Sequence, residues 1–321
     1  CSRKAEVIEM TATNPSASKK VVLSKYHVKP DVSQIVIRVI SFVFIGVLAV
    51  ACVLPFWLVI SASFTAEDEI LRMGFSFWPS QWDFEAYSLL LRHPEQVLSS
   101  YAVTIALTVL GTFLGVWMSS MTGYVLQRPD FAYRNGIMFY IYFTTLFGGG
   151  LIPWYVLIVM VLQWKDNYLA ILLPGVASSW NILLFRNFTK AIPHEVTESA
   201  LIDGATDFKI YLRIILPMSA PALATVGLFI ALGYWNEWYS SMLFLSANTK
   251  NKPLQLFLYN TINMAESIKN TAAADNVTIQ DVPTNAMKMA TAVLTTGPII
   301  FVYPAVQKYF ISGITIGAVK G

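Results

Sequence analysis

The sequence has little charge and few cysteines for a chain of 321 residues. Only 13% of its residues are charged and the formal net charge is +3, whereas soluble domains carry about twice that charged fraction. Such a small net charge does not indicate a nucleic-acid partner. The two cysteines do not predict a structural disulfide, because Cys52 lies within an apolar run and Cys1 is the first residue.

Motifs for catalysis and for cofactor binding are missing as well. The three histidines, His27, His93 and His194, are too scattered to predict a metal cluster. The sequence has no Gly-x-x-x-x-Gly-Lys-Ser/Thr phosphate loop, which excludes ATP binding in that mode. No catalytic triad is indicated within the apolar segments. We therefore expect no catalytic residue, no metal and no cofactor in this chain.

Apolar residues are abundant instead. They make up 55% of the chain, and the mean hydropathy is +0.56. They form about six runs, each near the length of about 20 residues that a helix needs to cross a bilayer. The sequence therefore predicts an all-α membrane protein with six transmembrane helices. The predicted spans are 35–63, 101–126, 137–162, 168–184, 218–245 and 289–306.

Lysine and arginine predict the orientation. Most of them fall on the side of the predicted spans that holds both termini. Because basic residues are enriched in cytoplasmic segments, both termini are predicted to be cytoplasmic. The chain divides into a cytoplasmic tail (1–34), the first helix with its outer loop (35–97), a core of five helices (98–308) that includes an inner loop (191–217), and a C-terminal cytoplasmic tail (309–321).

The inner loop between the fourth and fifth spans has the pattern of two short helices joined at a glycine. Pro193 suits a first helical position. Gly204 falls where a left-handed cap is needed. Thr206 or Asp207 can cap the second helix, which is predicted to run to Leu216.

The same loop combines small residues with an apolar stripe. The small residues are Ala200, Gly204 and Ala205, and the stripe is formed by Phe208, Leu212 and Ile215. A stiff knob of this shape would suit a groove on another protein. The periodicity fits an amphipathic connector on the membrane surface equally well.

The loop resembles the coupling motif of binding-protein-dependent ABC permeases, the EAA loop. The matching positions are Glu198-Ser199-Ala200, Gly204 and Ile214-Ile215-Leu216-Pro217, and Asp203-Gly204-Ala205 fits the carbohydrate-uptake branch. Ser199 stands where the family usually has alanine, which is a small-for-small change. The resemblance implies that the residues coupling the chain to an ATPase are Glu198, Ser199, Ala200, Asp203, Gly204, Ala205, Phe208, Leu216 and Pro217.

Other segments extend the resemblance over most of the chain. They look like the polysaccharide-type permeases related to LplC and YtcP, which are similar to the MalG subunit of maltose importers. These segments are Gly149-Gly150-Leu151-Ile152-Pro153 with Tyr155, Leu173-Pro174-Gly175, Arg186-Asn187-Phe188, Tyr234-Trp235-Asn236-Glu237-Trp238, Tyr303-Pro304, Lys308-Tyr309-Phe310, Gly313, Ile316-Gly317 and Lys320-Gly321.

The resemblance implies a type I ABC importer permease in the bacterial cytoplasmic membrane, which forms the path for a sugar or oligosaccharide. The implied partners are a second homologous permease, two copies of a cytoplasmic ATPase that bind ATP and Mg²⁺, and an extracytoplasmic binding protein. The alternative is an ion-coupled secondary transporter, which predicts repeated halves and relays of intramembrane acids. No internal repeat is visible, and Glu237 is the only clear acid within a predicted span.

Two features bear on the substrate path. The cluster Tyr234-Trp235-Asn236-Glu237-Trp238 on the fifth span has the residue types of a sugar site, but an interfacial aromatic belt is the alternative. In a continuous helix Tyr234 and Trp238 share a face, whereas Trp235 and Glu237 point elsewhere. The polar segment 246–287 is predicted to be an outer loop that reaches a binding protein, with a disordered loop as the alternative.

Overall fold

A computed structural model describes residues 32–92, 94–247, 249, 251–274 and 283–318. Most of the predicted N-terminal tail and the last three residues lie outside these ranges. Within them the chain is helical, apart from loops and one isolated bridge between Thr65 and Trp82. The helices are α1 (Val32–Ser63), α2 (Glu67–Met73), α3 (Glu85–Leu90), α4 (Pro94–Gln127), α5 (Arg134–Leu146), α6 (Leu151–Val156), α7 (Leu169–Val176), α8 (Ser179–Thr189), α9 (His194–Ile202), α10 (Asp207–Ile210), α11 (Leu216–Met218), α12 (Ala220–Trp235), α13 (Tyr239–Phe244), α14 (Leu254–Ala274) and α15 (Thr284–Ala318). Single π-helical turns, Leu157–Val161 and Tyr211–Ile215, follow α6 and α10.

Three helical segments are long and apolar enough to cross a membrane: Ser33–Ser63, Pro94–Gln127 and Leu169–Thr189. Two helix pairs meet the same criterion together, but each is bent. Arg134–Leu146 meets Leu151–Val161 at 113°, and Asp207–Met218 meets Ala220–Trp235 at 83°. The described residues therefore hold three to five candidate spans. The sixth predicted span, 289–306, lies within α15, whose helix continues into the predicted C-terminal tail as far as Ala318.

The chain divides into two compact units, residues 1–53 and 54–321. In the first unit, every side chain from Ser33 to Val53 is exposed. A helix that is apolar on all sides belongs in lipid or against another membrane protein. Cys52 in this helix is a free, exposed thiol.

Small residues on α4 determine how closely the helices of the second unit pack. The small buried residues recur at every fourth position: Gly111, Gly115, Ser119 and Gly123. A Cβ at Gly111 would lie 2.2 Å from Cε2 of Tyr234 on α12, and one at Gly123 would lie 2.9 Å from the backbone nitrogen of Arg186 on α8. This spacing lets helix backbones approach closely within a membrane. Both α8 and α12 therefore pack directly on α4.

Helix α8 continues past the predicted end of the fourth span at Leu184, as far as Thr189. Its polar residues are satisfied inside the bundle. Nε of Arg186 donates to the carbonyl of Leu126 at 3.3 Å, and the buried hydroxyl of Thr189 donates to the carbonyl of Arg186 at 3.0 Å. The span is also interrupted, since α7 ends at Val176 and α8 begins at Ser179.

The predicted outer segment 246–287 is helical over residues 254–274, which form α14, so the alternative of a disordered loop is wrong for those residues. Leu254, Leu258 and Ala265 of α14 are buried in one core cluster with Leu90 of α3 and Ala290 of α15. The many polar residues of the segment lie between these apolar anchors. Residues 275–282 lie outside the described part of the chain.

A buried carboxylate joins α2 to the beginning of α15. Glu67 accepts hydrogen bonds from the backbone nitrogens of Asn285 (3.0 Å) and Ala286 (3.1 Å) and from the side-chain amide of Asn285 (2.9 Å). The first backbone N–H groups of a helix have no partner within the helix, and a negative charge there is stabilised by the helix dipole. Glu67 therefore anchors the N-terminal end of α15.

We expect Glu67→Ala to lower the free energy of unfolding by about 1.5–3 kcal/mol, the usual contribution of hydrogen bonds to a charged group. Thermal unfolding of the purified protein in detergent measures this as a lower transition midpoint. Asp68→Ala is the matched control, because Asp68 is its exposed neighbour on α2. Equal midpoints for the two variants would contradict this role of Glu67.

Candidate functional site

The inner loop folds into the two short helices that the sequence predicts. Helices α9 and α10 are separated by Gly204, which has a φ of 77°. No other atom lies within 4 Å of the position that a Cβ would take at Gly204, so a side chain would have room there. Glycine is favoured at this position because of its backbone conformation. Pro193 is the N-cap of α9 and not its first helical residue, because its ψ of 137° is extended. Thr206 is the N-cap of α10 but makes no side-chain capping bond.

The bend into the fifth span lies at Ser219 and not at Pro217. Helix α10, the π-helical turn and α11 run on without interruption to Met218, and α12 begins at Ala220. Pro217 lies near the end of this continuous helix, and its lack of a backbone N–H removes one helical hydrogen bond there. The helix therefore ends two residues beyond the predicted boundary at Leu216.

A small core lies beneath this loop and holds it against α4. Its buried members are Tyr124, Ala200, Ile210, Tyr211 and Ile215. The rings of Tyr124 and Tyr211 stack at a centroid distance of 5.7 Å, and the Tyr211 hydroxyl lies 2.7 Å from Oγ of Ser120. The predicted apolar stripe is therefore divided, since Ile215 points inward whereas Phe208 and Leu212 are exposed.

The exposed surface of the loop is strongly apolar. Ile202 is 86% exposed, and Leu201 and Phe208 are also exposed. Contiguous exposed apolar side chains mark interaction surfaces. We name these three residues the apolar patch. Leu201 and Ile202 were not predicted from the sequence, although two adjacent large apolar residues immediately before a polar helix end were a usable signal.

The remaining predicted coupling residues serve the geometry of the loop. Oε1 of Glu198 lies 3.0 Å from Nδ1 of His194, and Oγ of Ser199 donates to the carbonyl of Glu195 at 2.8 Å. Asp203 is the exposed C-cap of α9. The backbone nitrogen of Ala205 donates to the carbonyl of Ala200 at 3.0 Å, which closes the turn around Gly204. Leu216 is half-buried.

An ion triad fastens the second helix of the loop to the end of α4. Nη1 of Arg128 donates to Oδ1 of Asp207 at 2.5 Å, and its Nε donates to Oδ1 of Asp130 at 2.9 Å. The Arg128 side chain is only 14% exposed. The hydrogen bond with Asp130 raises the pKa of Arg128, and the same bond lowers the pKa of Asp130. Sequence analysis did not find this triad, because Arg128 and Asp207 are 79 positions apart.

Two of the predicted substrate-path residues bond to neighbouring helices. The ring of Tyr234 is buried between Gly111 and Gly175, and its hydroxyl donates to the carbonyl of Leu172 at 2.5 Å. Nε1 of Trp235 donates to the carbonyl of Thr295 on α15 at 3.0 Å. Both side chains thereby help to hold α12 in the bundle.

The other three residues of the cluster follow the end of α12. Asn236 is the exposed C-cap of α12. Oε1 of Glu237 accepts a hydrogen bond from the backbone nitrogen of Ser240 at 2.6 Å and so caps α13. The exposed ring of Trp238 lies 5.0 Å from that of Tyr259 on α14. Because the helix ends at Trp235, the helical-face prediction for Glu237 and Trp238 does not apply.

A pocket of about 470 Å³ lies where α7, α8 and α12 meet. Tyr234 and Glu237 both line this pocket. A continuous helix would instead have pointed the two side chains in different directions. Its polar lining also includes residues that the sequence analysis did not select: Ser178, Asn181 and Ser240. Among the described residues, no group of three or more His, Cys, Asp or Glu side chains is placed to hold a metal ion.

The helical fold and its interrupted apolar spans define a membrane-embedded transport subunit. Residues 111–316 match the family described as the binding-protein-dependent transport system inner membrane component. The chain belongs to this family.

Characterised relatives agree with this assignment. The polygalacturonan/rhamnogalacturonan transport system permease protein YtcP of Bacillus subtilis is 36% identical over 278 residues, which cover 87% of this chain and 96% of the relative. Protein LplC of Bacillus subtilis is 34% identical over 288 residues, covering 89% and 95%. These similarities give no support to the secondary-transporter alternative.

A solved structure extends the similarity to the fold. A chain of a bacterial ABC transporter involved in the import of the acidic polysaccharide alginate matches with a TM-score of 0.70 and 30% identity. The match covers 87% of this chain and 98% of that chain. The chain therefore has the fold of an ABC importer permease.

Proposed function

We propose that the chain is one of two membrane-spanning subunits of an ATP-driven importer and forms part of the path for a sugar or oligosaccharide. Membership of the permease family supports the transport role. The polysaccharide systems of the relatives support the substrate class. The observation that carries the coupling role is the exposed apolar patch at the rigid turn of Gly204, because it offers a partner a fixed, apolar contact surface.

The complete arrangement has six transmembrane helices and two cytoplasmic termini, with the tails at 1–34 and 309–321. Residues 35–97 form the first helix and its outer segment, and residues 98–308 form the permease core. ATP hydrolysis belongs to two copies of a separate cytoplasmic ATPase. A second homologous permease completes the path, and an extracytoplasmic binding protein delivers the sugar. The location is the bacterial cytoplasmic membrane.

The inner loop transmits the movement of the ATPase. ATP binding closes the ATPase pair, which displaces the apolar patch together with α9 and α10. Because the core around Tyr211 and the Arg128–Asp207 pair join this loop to α4, the displacement reaches the helices on which α8 and α12 pack. Packed helices rearrange between discrete states, so the bundle alternates between inward-open and outward-open forms.

Gly204→Val tests this coupling. A β-branched residue at a φ of 77° is strained, and relief of the strain would move α9 relative to α10. We expect normal membrane insertion but an uptake rate about tenfold lower than that of the wild type. A tenfold loss lies within the range that 1–3 kcal/mol of backbone strain would cause. ATP hydrolysis should continue without transport, or the ATPase should no longer co-purify.

Gly74→Val is the matched control, since Gly74 has a φ of 78° and equally open surroundings but lies after α2, in the predicted outer segment that follows the first helix. It should leave the ratio of sugar transported to ATP hydrolysed unchanged. Normal uptake by the Gly204 variant would show that the loop is a plain connector on the membrane surface.

A further inference from the structure

We propose that the pocket between α7, α8 and α12 is a saccharide-binding subsite centred on Asn181. This inference rests on the proposed function and assigns part of the substrate path to particular side chains. It shifts the centre of the path from the sequence cluster at 234–238 to a site that several helices build together.

Asn181 carries the inference because its side chain is buried without a protein partner. It is 7% exposed and lines the pocket. Its backbone nitrogen donates to Oγ of Ser178 at 3.4 Å, but within the described ranges no hydrogen bond reaches its side-chain amide. The amide is therefore not sealed in the core but opens onto the pocket, where its donors and acceptor are available to a ligand. A ligand in the pocket would supply the missing donors and acceptors.

The surrounding groups suit the hydroxyls and rings of a sugar. Oε1 of Glu237 is held by the backbone nitrogen of Ser240, which leaves Oε2 as a second acceptor at a fixed position. Phe229, whose ring is exposed, provides aromatic surface in the pocket lining. Aromatic faces stack on the C–H faces of pyranose rings, and amides and carboxylates bond their hydroxyls. The volume of about 470 Å³ lies in the range of small-molecule pockets.

The depth of the pocket suits a site on a transport path. The candidate span runs from Leu169 to Thr189, and the break between α7 and α8 at Ser178 lies near its middle. Transporters place substrate sites near the bilayer midplane and form them from interrupted helices. Ser178 at the interruption and Asn181 at the start of α8 both line the pocket, as does Glu237 beyond the end of α12.

The test uses the whole importer in proteoliposomes with a saturating amount of its binding protein. The probes are an oligogalacturonate, an arabino-oligosaccharide and maltose, and the sugar that the wild type transports fastest is used throughout. Asn181→Leu, which is apolar and similar in size, should lower the uptake rate about three- to tenfold, the usual effect of one lost hydrogen bond. Glu237→Gln keeps an acceptor for Ser240 and should lower uptake to a similar extent.

Monodeoxy analogues of that sugar distinguish contact from structure. One of these analogues lacks the hydroxyl that Asn181 binds. The wild type should transport that analogue more slowly than the parent sugar. Asn181→Leu should transport both sugars at the same rate, because the two changes remove one interaction. Asn187→Leu on the exposed side of α8 is the matched control and should discriminate like the wild type.

Three results would overturn the subsite. One is normal uptake by Asn181→Leu. Another is undiminished discrimination by that variant against every deoxy analogue. The third is loss of the second permease on purification, which would assign the amide to the subunit interface. If the wild type itself transports none of the saccharides, the proposed function fails as well, so the two failures can be told apart.

Discussion

Gly111→Val should abolish uptake, because α4 can then no longer pack against α12. The added Cβ would lie 2.2 Å from Cε2 of Tyr234, far inside van der Waals contact. The ring cannot move away, because its hydroxyl is bonded to the carbonyl of Leu172. On its other side the hydroxyl lies so close to Gly175 that a Cβ there would be only 2.5 Å away. We expect a loss of about 3 kcal/mol or more in stability. The yield of assembled complex and its thermal midpoint measure this loss.

Gly46→Val is the matched control, because Gly46 is also a glycine of an apolar helix but has open space around it. It should assemble and transport normally. A second change provides an internal check, since Tyr234→Leu removes the clashing ring and should partly restore assembly of Gly111→Val. Normal assembly by Gly111→Val alone would show that the close approach of α4 and α12 is not required.

The regular features of the fold were predictable because they depend on local sequence. Long apolar runs determine where helices lie in a membrane, and the predicted spans all fall on helices of the structure. Gly204 correctly marked a left-handed turn, and glycines also stand at 148–150, where α5 and α6 are separated. In each case a few adjacent residues contain the physical cause.

The sequence failed where packing between helices or a helix break changes the local preference. The helix at 254–274 was not predicted because the segment is polar on average, and its buried apolar residues are anchored by α3 and α15. Glu237 was placed within a continuous fifth span, whereas the break after Trp235 turns it into the cap of α13. Its partner Ser240 is only three residues away, so the helix break and not a distant contact was missed there.

The candidate site divides in the same way. Residues of the turn around Gly204 were found from the motif alone, because the turn is local. Asn181 and Arg128 were not found, since their importance depends on a pocket or a partner contributed by other helices. An isolated asparagine or arginine near the end of an apolar span gives no periodic or spacing signal. Contacts across the fold are needed to identify such residues.

Arg128→Ala should separate ATP hydrolysis from transport. Arg128 is the charged link between the end of α4 and Asp207 at the start of α10. Its removal leaves α10 attached through the core around Tyr211, so the loop should fold but move less tightly with α4. We expect an uptake rate about tenfold lower, which corresponds to about 1.4 kcal/mol, within the range of coupled neighbouring groups. The measurement is sugar uptake and ATP hydrolysis in the same proteoliposomes.

A double-mutant cycle with Asp207→Asn identifies the pair that matters. If the Arg128–Asp207 contact transmits the movement, each single variant should lose about the same uptake and the double variant should lose little more. Asp130→Asn should retain most of the activity, because the bond from Nη1 of Arg128 to Asp207 remains. Arg213→Ala removes an exposed charge from the same inner segment and should transport normally. Additive losses at Arg128 and Asp207 would instead mean that the two residues act separately, and the inner loop would then be coupled to α4 by its apolar core alone.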